Sequence, residues 1–330
     1  MFENSFLAFK SYAAMLSVYE ALPHRPLVLH VSAELLMGDA CLAFFDSAAS
    51  TSSPTPTIVE VMHTKQPNAH LTYFDLLSYL SMARASLDPG AQISDVLDWT
   101  VANYLESRGS LDRVVLDIIT HQGEASMLQA MKILLACSPH QTHLPVATVT
   151  ESKLRSIFGY VTLPQILASI VVSSPQQDRL ALTQVALDQG SRPDSLLDES
   201  QSLSEAAELL LAKRLPWLPV ADAEGRVSGV LGVQHVVQEI SKVFGTDGDL
   251  LREFKAPVRE AMFPFPASHR PFVGSLSSQE FPMSLKALLR RVLLSQGSAV
   301  LVADADRRLT AVFSIEDVLG IILSLKESLA

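Results

Sequence analysis

Hydrophobic and polar positions alternate in blocks near the end of the chain. Two apolar runs, 299–303 and 309–313, are separated by the polar stretch 304–308. Short apolar runs on either side of a polar turn are typical of a β-hairpin. The next apolar run opens with Ser314 and Asp317, in the Ser-x-x-acid spacing that caps a helix N-terminus. The pattern therefore predicts a strand, a turn, a second strand and a helix.

The same order recurs three times upstream. In each copy a strand candidate, a polar turn and a second strand lead into an apolar helix, and the second strands end at Thr72, Thr162, Gly232 and Ser314. An amphipathic helix candidate precedes every strand pair, over residues 33–45, 123–136, 202–211 and 284–296. In the third copy, Ser202 and Glu205 form a predicted capping box. Four α/β units are therefore predicted, and they should pair because a three-stranded sheet cannot bury both faces alone.

This repeated unit resembles the cystathionine-β-synthase (CBS) domain, with four copies in tandem. The resemblance implies an α/β fold in which the CBS domains pair into two Bateman modules, packed as a pseudo-symmetric disc. Two such modules in one chain resemble the gamma regulatory subunit of AMP-activated protein kinase. The stretches that carry this closer likeness are FLAFKSYA at 6–13, VREAM at 258–262 and SHRPFVGS at 268–275.

The resemblance also implies ligands and partners. It implies AMP, ADP or ATP as regulatory ligands in the clefts between paired domains, and no obligatory cofactor. It implies a catalytic alpha subunit and a scaffolding beta subunit of a kinase as partners, in the cytoplasm and also in the nucleus. The unit boundaries expected from the pattern are an N-terminal helix over 1–26, followed by CBS repeats over 27–90, 91–176, 177–248 and 249–330.

Composition and charge narrow the class of protein. The formal net charge is −10, from 25 basic and 35 acidic residues, which argues against nucleic acid or an anionic membrane as a partner. Cys41 and Cys137 fall inside predicted helices without metal-ligand spacing, so both are interpreted as small buried residues. No apolar run reaches the length of a membrane span, and no basic leader opens the chain. A reducing intracellular compartment is expected.

The candidate site residues lie at the start of each unit's last helix. In the resembled family, an aspartate here accepts hydrogen bonds from both ribose hydroxyls, which assigns that role to Asp75 and Asp317. A carboxylate suits a vicinal diol because its two oxygens can accept from two donors. Thr72 and Ser314 would place a hydroxyl in the same cleft. The alternative is a plain capping box, in which the acid only stabilises the helix N-terminus.

The second and third units depart from this pattern. Thr162 is followed by Gln165, a neutral side chain that can cap the helix and bond a hydroxyl, and Thr162 remains a candidate nucleotide contact. In the third unit His235 stands where the family has aspartate, which places a third-unit site in doubt. His143 is the candidate phosphate contact, and the alternative is an ordinary surface histidine.

Two functions follow from these features. The first is a non-catalytic regulatory kinase subunit that senses energy state by binding adenine nucleotides. The second is a scaffold that keeps the fold, holds protein partners and binds no nucleotide, because basic residues are scarce on the phosphate side. The chain is predicted not to be an enzyme, since it has no Gly-x-Gly-x-x-Gly, P-loop, Gly-x-Ser-x-Gly or His-Glu-x-x-His motif.

Overall fold

The computed structural model describes residues 28–49, 58–62, 70–87, 96–107, 119–120, 126–137, 143–149, 155–173, 183–191, 195–245, 248–264, 275–294 and 299–324. The predicted N-terminal helix over 1–26 lies outside the described residues. Within the described ranges, no helix combines the length and the hydropathy needed to cross a bilayer. The same ranges contain no group of His, Cys, Asp or Glu arranged as a metal site.

The order strand, helix, strand, strand, helix recurs in all four units, and unit 4 has a further two-residue strand before its first helix. Unit 1 has β1 (Val28–Ser32), α1 (Met37–Ala49), β2 (Ile58–Met62), β3 (His70–Leu71) and α2 (Tyr73–Ser86), followed by α3 (Val101–Ser107). Unit 2 has β4 (Ile119–Thr120), α4 (Met127–Cys137), β5 (His143–Val149), β6 (Arg155–Thr162) and α5 (Leu163–Ser173), followed by β7 (Gln184–Val185). Unit 3 has β8 (Leu197–Asp198), α6 (Leu203–Lys213), β9 (Trp217–Ala221), β10 (Val227–Gly232) and α7 (Val233–Ser241), followed by α8 (Leu250–Lys255), α9 (Val258–Ala261) and β11 (Phe263–Pro264). Unit 4 has β12 (Ser275–Ser277), β13 (Met283–Ser284), α10 (Leu285–Leu294), β14 (Ala299–Ala303), β15 (Leu309–Ser314) and α11 (Ile315–Ser324).

The sheet of every unit has the same topology. An opening strand runs parallel to a central strand across the intervening helix, in the pairs β1–β2, β4–β5, β8–β9 and β12–β14. The central strand pairs antiparallel with the next, in the pairs β2–β3, β5–β6, β9–β10 and β14–β15, and β11 adds a fourth strand to the sheet of unit 3. A parallel pair needs such a crossover, whereas an antiparallel pair needs only a turn. The α/β fold and the fourfold repeat predicted from the hydrophobic pattern are therefore confirmed.

The predicted capping box of unit 3 is also confirmed. Ser202 Oγ accepts a hydrogen bond from the backbone N–H of Glu205 at 3.2 Å. Glu205 Oε2 accepts one from the Ser202 backbone N–H at 2.9 Å. These two bonds satisfy backbone donors that the first turn of α6 leaves unpaired.

Units 3 and 4 pack sheet against sheet. Buried side chains from both sheets form one apolar cluster, made of Val227, Ala299, Leu301 and Val312 with Trp217, Val230 and Leu309 packed around them. The hairpin turns of the two sheets meet beside this cluster. Val227 N–H donates to the Arg307 carbonyl at 2.8 Å, and Arg307 Nη2 donates back to the Val227 carbonyl at 3.1 Å. These two units therefore form one module.

The two turns are built alike. Asp222 Oδ1 accepts from the Arg226 N–H, and Asp304 Oδ1 accepts from the Arg308 N–H, both at 2.8 Å. The fourth turn position has positive φ in each, at Gly225 (75°) and Arg307 (64°). Glycine adopts this conformation without steric cost, whereas arginine does not. The cross-unit bonds of Arg307 offset that cost in unit 4.

The two modules meet through helices. Helices α1 and α2 of unit 1 pack against α6 and α7 of unit 3, and these helices share one buried core. At its edge, Arg84 Nη1 lies 3.1 Å from Glu208 Oε1, and its guanidinium carbon lies 5.6 Å from the centre of the Phe254 ring. Units 2 and 4 share a second buried core. Unit 1 therefore faces unit 3, and unit 2 faces unit 4, as expected for a pseudo-symmetric pair of modules.

The linkers of the two modules repeat the same hydrogen bonds. In the first module, Met37 N–H donates to Trp99 O at 2.9 Å and Val101 N–H donates to Leu35 O at 2.8 Å. In the second, the matching pairs are Leu203 to Ala256 at 2.9 Å and Val258 to Gln201 at 2.8 Å. The segment 183–191, which the expected boundaries assign to unit 3, lies against unit 4, since β7 pairs with β13.

Cys41 is a small buried residue, as predicted. It is fully buried in α1, and burial raises the pKa of its thiol to about 12, which keeps it protonated at neutral pH. The side chain of Cys137 lies outside the described residues.

Candidate functional site

Each unit's last helix begins directly after its last strand, and the third helical residue folds back to cap it. In unit 1, Asp75 Oδ2 accepts from the backbone N–H of Thr72 at 2.7 Å and from its hydroxyl at 2.8 Å. Thr72 Oγ1 lies 3.4 Å from the Asp75 N–H in return. Asp75 is 6% exposed, so its carboxylate is almost enclosed. The structure brings Thr72 and Asp75 together in the predicted capping geometry.

Unit 4 has the same cap with one further contact. Asp317 Oδ2 accepts from the Ser314 N–H at 2.8 Å, and Ser314 Oγ accepts from the Asp317 N–H at 3.0 Å. The Ser191 hydroxyl lies 3.3 Å from the same Oδ2 and 3.2 Å from the Val312 carbonyl. Unlike Asp75, Asp317 is partly exposed. Its Oδ1 accepts no hydrogen bond from the part of the chain that the structure describes.

Ser191 is a contact of Asp317 that sequence reasoning missed. It stands 126 positions before Asp317 and reaches it because its backbone bridges to Val312 of β15. No local pattern marks a serine in a short segment between units. Only the pairing of that segment with the fourth sheet places its hydroxyl beside the cap.

Unit 2 caps its helix with an amide. Gln165 Oε1 accepts from the Thr162 N–H at 2.9 Å, and the Gln165 N–H lies 3.4 Å from Thr162 Oγ1. His143 pairs with Thr162 in the antiparallel register of β5 and β6, so the structure brings these two candidate residues to the same strand pair. The side chain of His143 lies outside the described part, and its phosphate role stays a prediction.

Unit 3 caps its helix with an imidazole. His235 Nδ1 accepts from the Gly232 N–H at 3.1 Å, so the neutral ring carries its proton on Nε2. The ring stacks on Phe263, with centroids 6.2 Å apart and planes at 26°. Burial lowers the pKa of His235 from its ordinary value of 6.5. The capping alternative is therefore confirmed as geometry at Asp75, Gln165 and Asp317, the cap by His235 was not predicted, and nucleotide contact stays a prediction.

We expect the protein to lose stability as the pH falls below about 6.5, the ordinary pKa of histidine. In that range the unfolded chain binds a proton on His235 that the folded chain does not, and the loss levels off below the folded pKa. Protonated Nδ1 also cannot accept from Gly232. His235→Gln should reduce this pH dependence, because Gln165 already shows that glutamine can make the same cap.

Urea unfolding between about pH 5 and 8 gives the free energy of unfolding of the wild type and of His235→Gln. The contributions of the other histidines cancel when one pH profile is subtracted from the other. Equal pH dependence in the two proteins would show that His235 is not buried in its neutral form.

Comparisons with known proteins agree with this architecture. The model of the CBS domain matches residues 192–242, which cover β8 to α7 of unit 3. A crystal structure from Methanocaldococcus jannaschii, described as a proposed archaeal homologue of g-AMPK, is similar over 93% of this chain and 99% of its own, with a TM-score of 0.66 and 12% identity. At that identity the likeness concerns the fold.

Curated relatives match a smaller region. Homoserine O-acetyltransferase of Methanohalobium evestigatum is 26% identical over 182 residues, and that of Methanosalsum zhilinae is 25% identical over 185 residues. These matches cover 55% and 56% of this chain but 33% of either enzyme, so the chain spans about a third of the length of these relatives. The domain match therefore places a CBS domain at residues 192–242, and the other three units share the strand and helix order of that unit.

Proposed function

We propose that this chain is a non-catalytic regulatory subunit of an AMP-activated-type protein kinase and binds an adenine nucleotide beside Asp317. The observation that carries the proposal is the carboxylate of Asp317. One oxygen is engaged by the cap and by Ser191, while the other accepts no hydrogen bond within the described residues. The side chain is partly exposed, so a ligand can reach it.

The chemistry suits the ribose of a nucleotide. A vicinal diol supplies two O–H donors, and hydrogen bonds to an ionised acceptor are roughly twice as strong as neutral ones. The hydroxyls of Ser314 and Ser191 stand beside the carboxylate and can complete the contact. Asp75 has the same cap but is 6% exposed, so we expect Asp317 to bind more strongly than Asp75.

Regulation would follow from exchange of AMP, ADP and ATP. A ligand shifts a conformational equilibrium only when its affinity differs between the two states. Catalytic alpha and scaffolding beta subunits would be the partners that read this shift, in the cytoplasm and the nucleus. The likeness to a third of an acetyltransferase gives no reason to assign that enzyme's activity to this chain.

A scaffold without nucleotide is the second candidate. Two observations favour it. All four caps are made by the chain's own atoms, and the sequence analysis offers a single basic candidate for phosphate, His143. The scaffold would hold kinase subunits or other proteins without responding to nucleotides.

We expect AMP, ADP or ATP to raise the unfolding temperature of the wild type, and Asp317→Asn to weaken binding about 10- to 100-fold. A ligand at about 100 times its dissociation constant adds roughly 2.7 kcal/mol to stability. A hydrogen bond to a charged group contributes about 1.5–3 kcal/mol, which corresponds to the expected loss of affinity. Calorimetric titration of both proteins measures the dissociation constant of each.

Glu205→Gln is the matched control, because Glu205 caps α6 with the same bonds but stands at the first helix of its unit. It should leave the affinity unchanged. Absence of any shift with all three nucleotides would favour the scaffold. Co-expression with alpha and beta kinase subunits tests the partners, and failure to form a three-component complex on size exclusion would contradict the kinase role.

A further inference from the structure

The clefts of units 3 and 4 can be compared position by position. Phe263 pairs with Val230 of β10, and Ser191 pairs with Val312 of β15. Val230 precedes the cap residue Gly232 by two positions, and Val312 precedes Ser314 by two. Phe263 and Ser191 therefore occupy equivalent places. Each lies on a segment that is not part of the unit's strand pair but pairs with its last strand.

The chemistry at these equivalent places is opposite. In unit 4 the Ser191 hydroxyl lies 3.3 Å from the Asp317 carboxylate, and the cap residue Ser314 adds a second hydroxyl. In unit 3 the Phe263 ring stacks on His235 instead, with centroids 6.2 Å apart. The cap residue there is Gly232, which has no side chain to offer.

A ribose would find no acceptor on the imidazole of unit 3. Nδ1 already accepts from the Gly232 N–H, so the ring proton is on Nε2, which can only donate. The phenyl ring of Phe263 lies beside the imidazole, with the two ring planes at 26°. The backbone of Phe263 lies close to β10 at Gly229, which has no Cβ. A Cβ added to Gly229 would collide with the Phe263 carbonyl oxygen.

We propose that the stacked pair Phe263 and His235 closes the unit-3 cleft, so that the module of units 3 and 4 binds one ribonucleotide, beside Asp317. This deepens the proposed function and rests on it for the occupied cleft. Phe263 is then a specificity-determining residue, because it excludes ribose even when the position of His235 carries an acid.

The test rebuilds the unit-4 group in unit 3 of the full chain. A triple variant, Gly232→Ser with His235→Asp and Phe263→Ser, copies Ser314, Asp317 and Ser191. A Cβ at Gly232 meets only ordinary contacts, the nearest at 3.5 Å, so serine fits there. Calorimetric titration with AMP should give one more binding site per chain than the wild type, and Asp317→Asn in the triple variant should leave this new site intact.

Gly232→Ser with His235→Asp is the matched control. It supplies the carboxylate and the hydroxyl of the cap but keeps Phe263, so it should gain no site. A new site in this double variant would overturn the closure by Phe263. The same number of sites in the triple variant and the wild type would also overturn it, provided that both show the same far-ultraviolet circular dichroism.

A second measurement uses the wild type, in case the triple variant does not fold. Photolabelling with an azido analogue of AMP should mark peptides around Asp317 and none from β10, α7 or β11. Label on those three elements would contradict closure. The test distinguishes failure of closure from failure of the proposed function. If the wild type binds no AMP and the triple variant gains a site, only the proposed function at Asp317 is refuted.

Discussion

Phe313→Ala should lower the free energy of unfolding by about 3–5 kcal/mol, the usual cost of truncating a fully buried phenylalanine. Phe313 is 0% exposed and stacks on Phe281 with ring centroids 5.3 Å apart. Gly190 packs so closely that an added Cβ would lie 2.9 Å from the Phe313 ring. Few neighbouring groups can therefore collapse into the cavity without moving the segment that carries Ser191.

Urea unfolding measures the loss, and Phe313→Leu is the control because it keeps most of the apolar volume and should cost less. Phe313 stands between Val312 and Ser314, so the alanine variant should also weaken nucleotide binding at Asp317. A loss below about 1 kcal/mol would mean that the core around β15 is not closely packed.

Gly229→Ala should destabilise the protein by about 1–3 kcal/mol, the range for overpacked interiors. The added Cβ would collide with the backbone carbonyl of Phe263 and lie 3.2 Å from Met262 Sδ. A backbone group cannot rotate away as a flexible side chain can. The strand β11 would have to separate from β10, and the Phe263 ring would leave His235.

Gly320→Ala is the matched control for this substitution. Gly320 lies in α11, and an added Cβ there meets nothing within 4 Å. Alanine in a helix is about 0.8–1 kcal/mol more favourable than glycine, so this variant should be stabilised. Thermal unfolding of the pair should give shifts of opposite sign, and shifts of the same sign would contradict the close contact of β11 with β10.

The repeated order of strands and helices could be predicted from the sequence because its signals are local. Apolar runs around the turn 304–308 and the capping spacing of Ser202 with Glu205 involve residues a few positions apart, and the structure confirms both. The same locality limited the site prediction. The Ser/Thr-x-x-Asp spacing by itself predicts a helix cap, which the structure confirms at both Asp75 and Asp317, whereas the ribose contact was implied only by the family resemblance.

The amino-acid sequence by itself determined the four α/β units, the order of their strands and helices, and the caps at Asp75, Gln165 and Asp317, because these depend on period and spacing along the chain. The tertiary structure decided how the surroundings of these caps differ between units. Ser191 meets Asp317 and Phe263 meets His235 only because crossing segments pair with strands β15 and β10. The burial of Asp75 and the partial exposure of Asp317 likewise depend on packing around each cap, which no local pattern encodes.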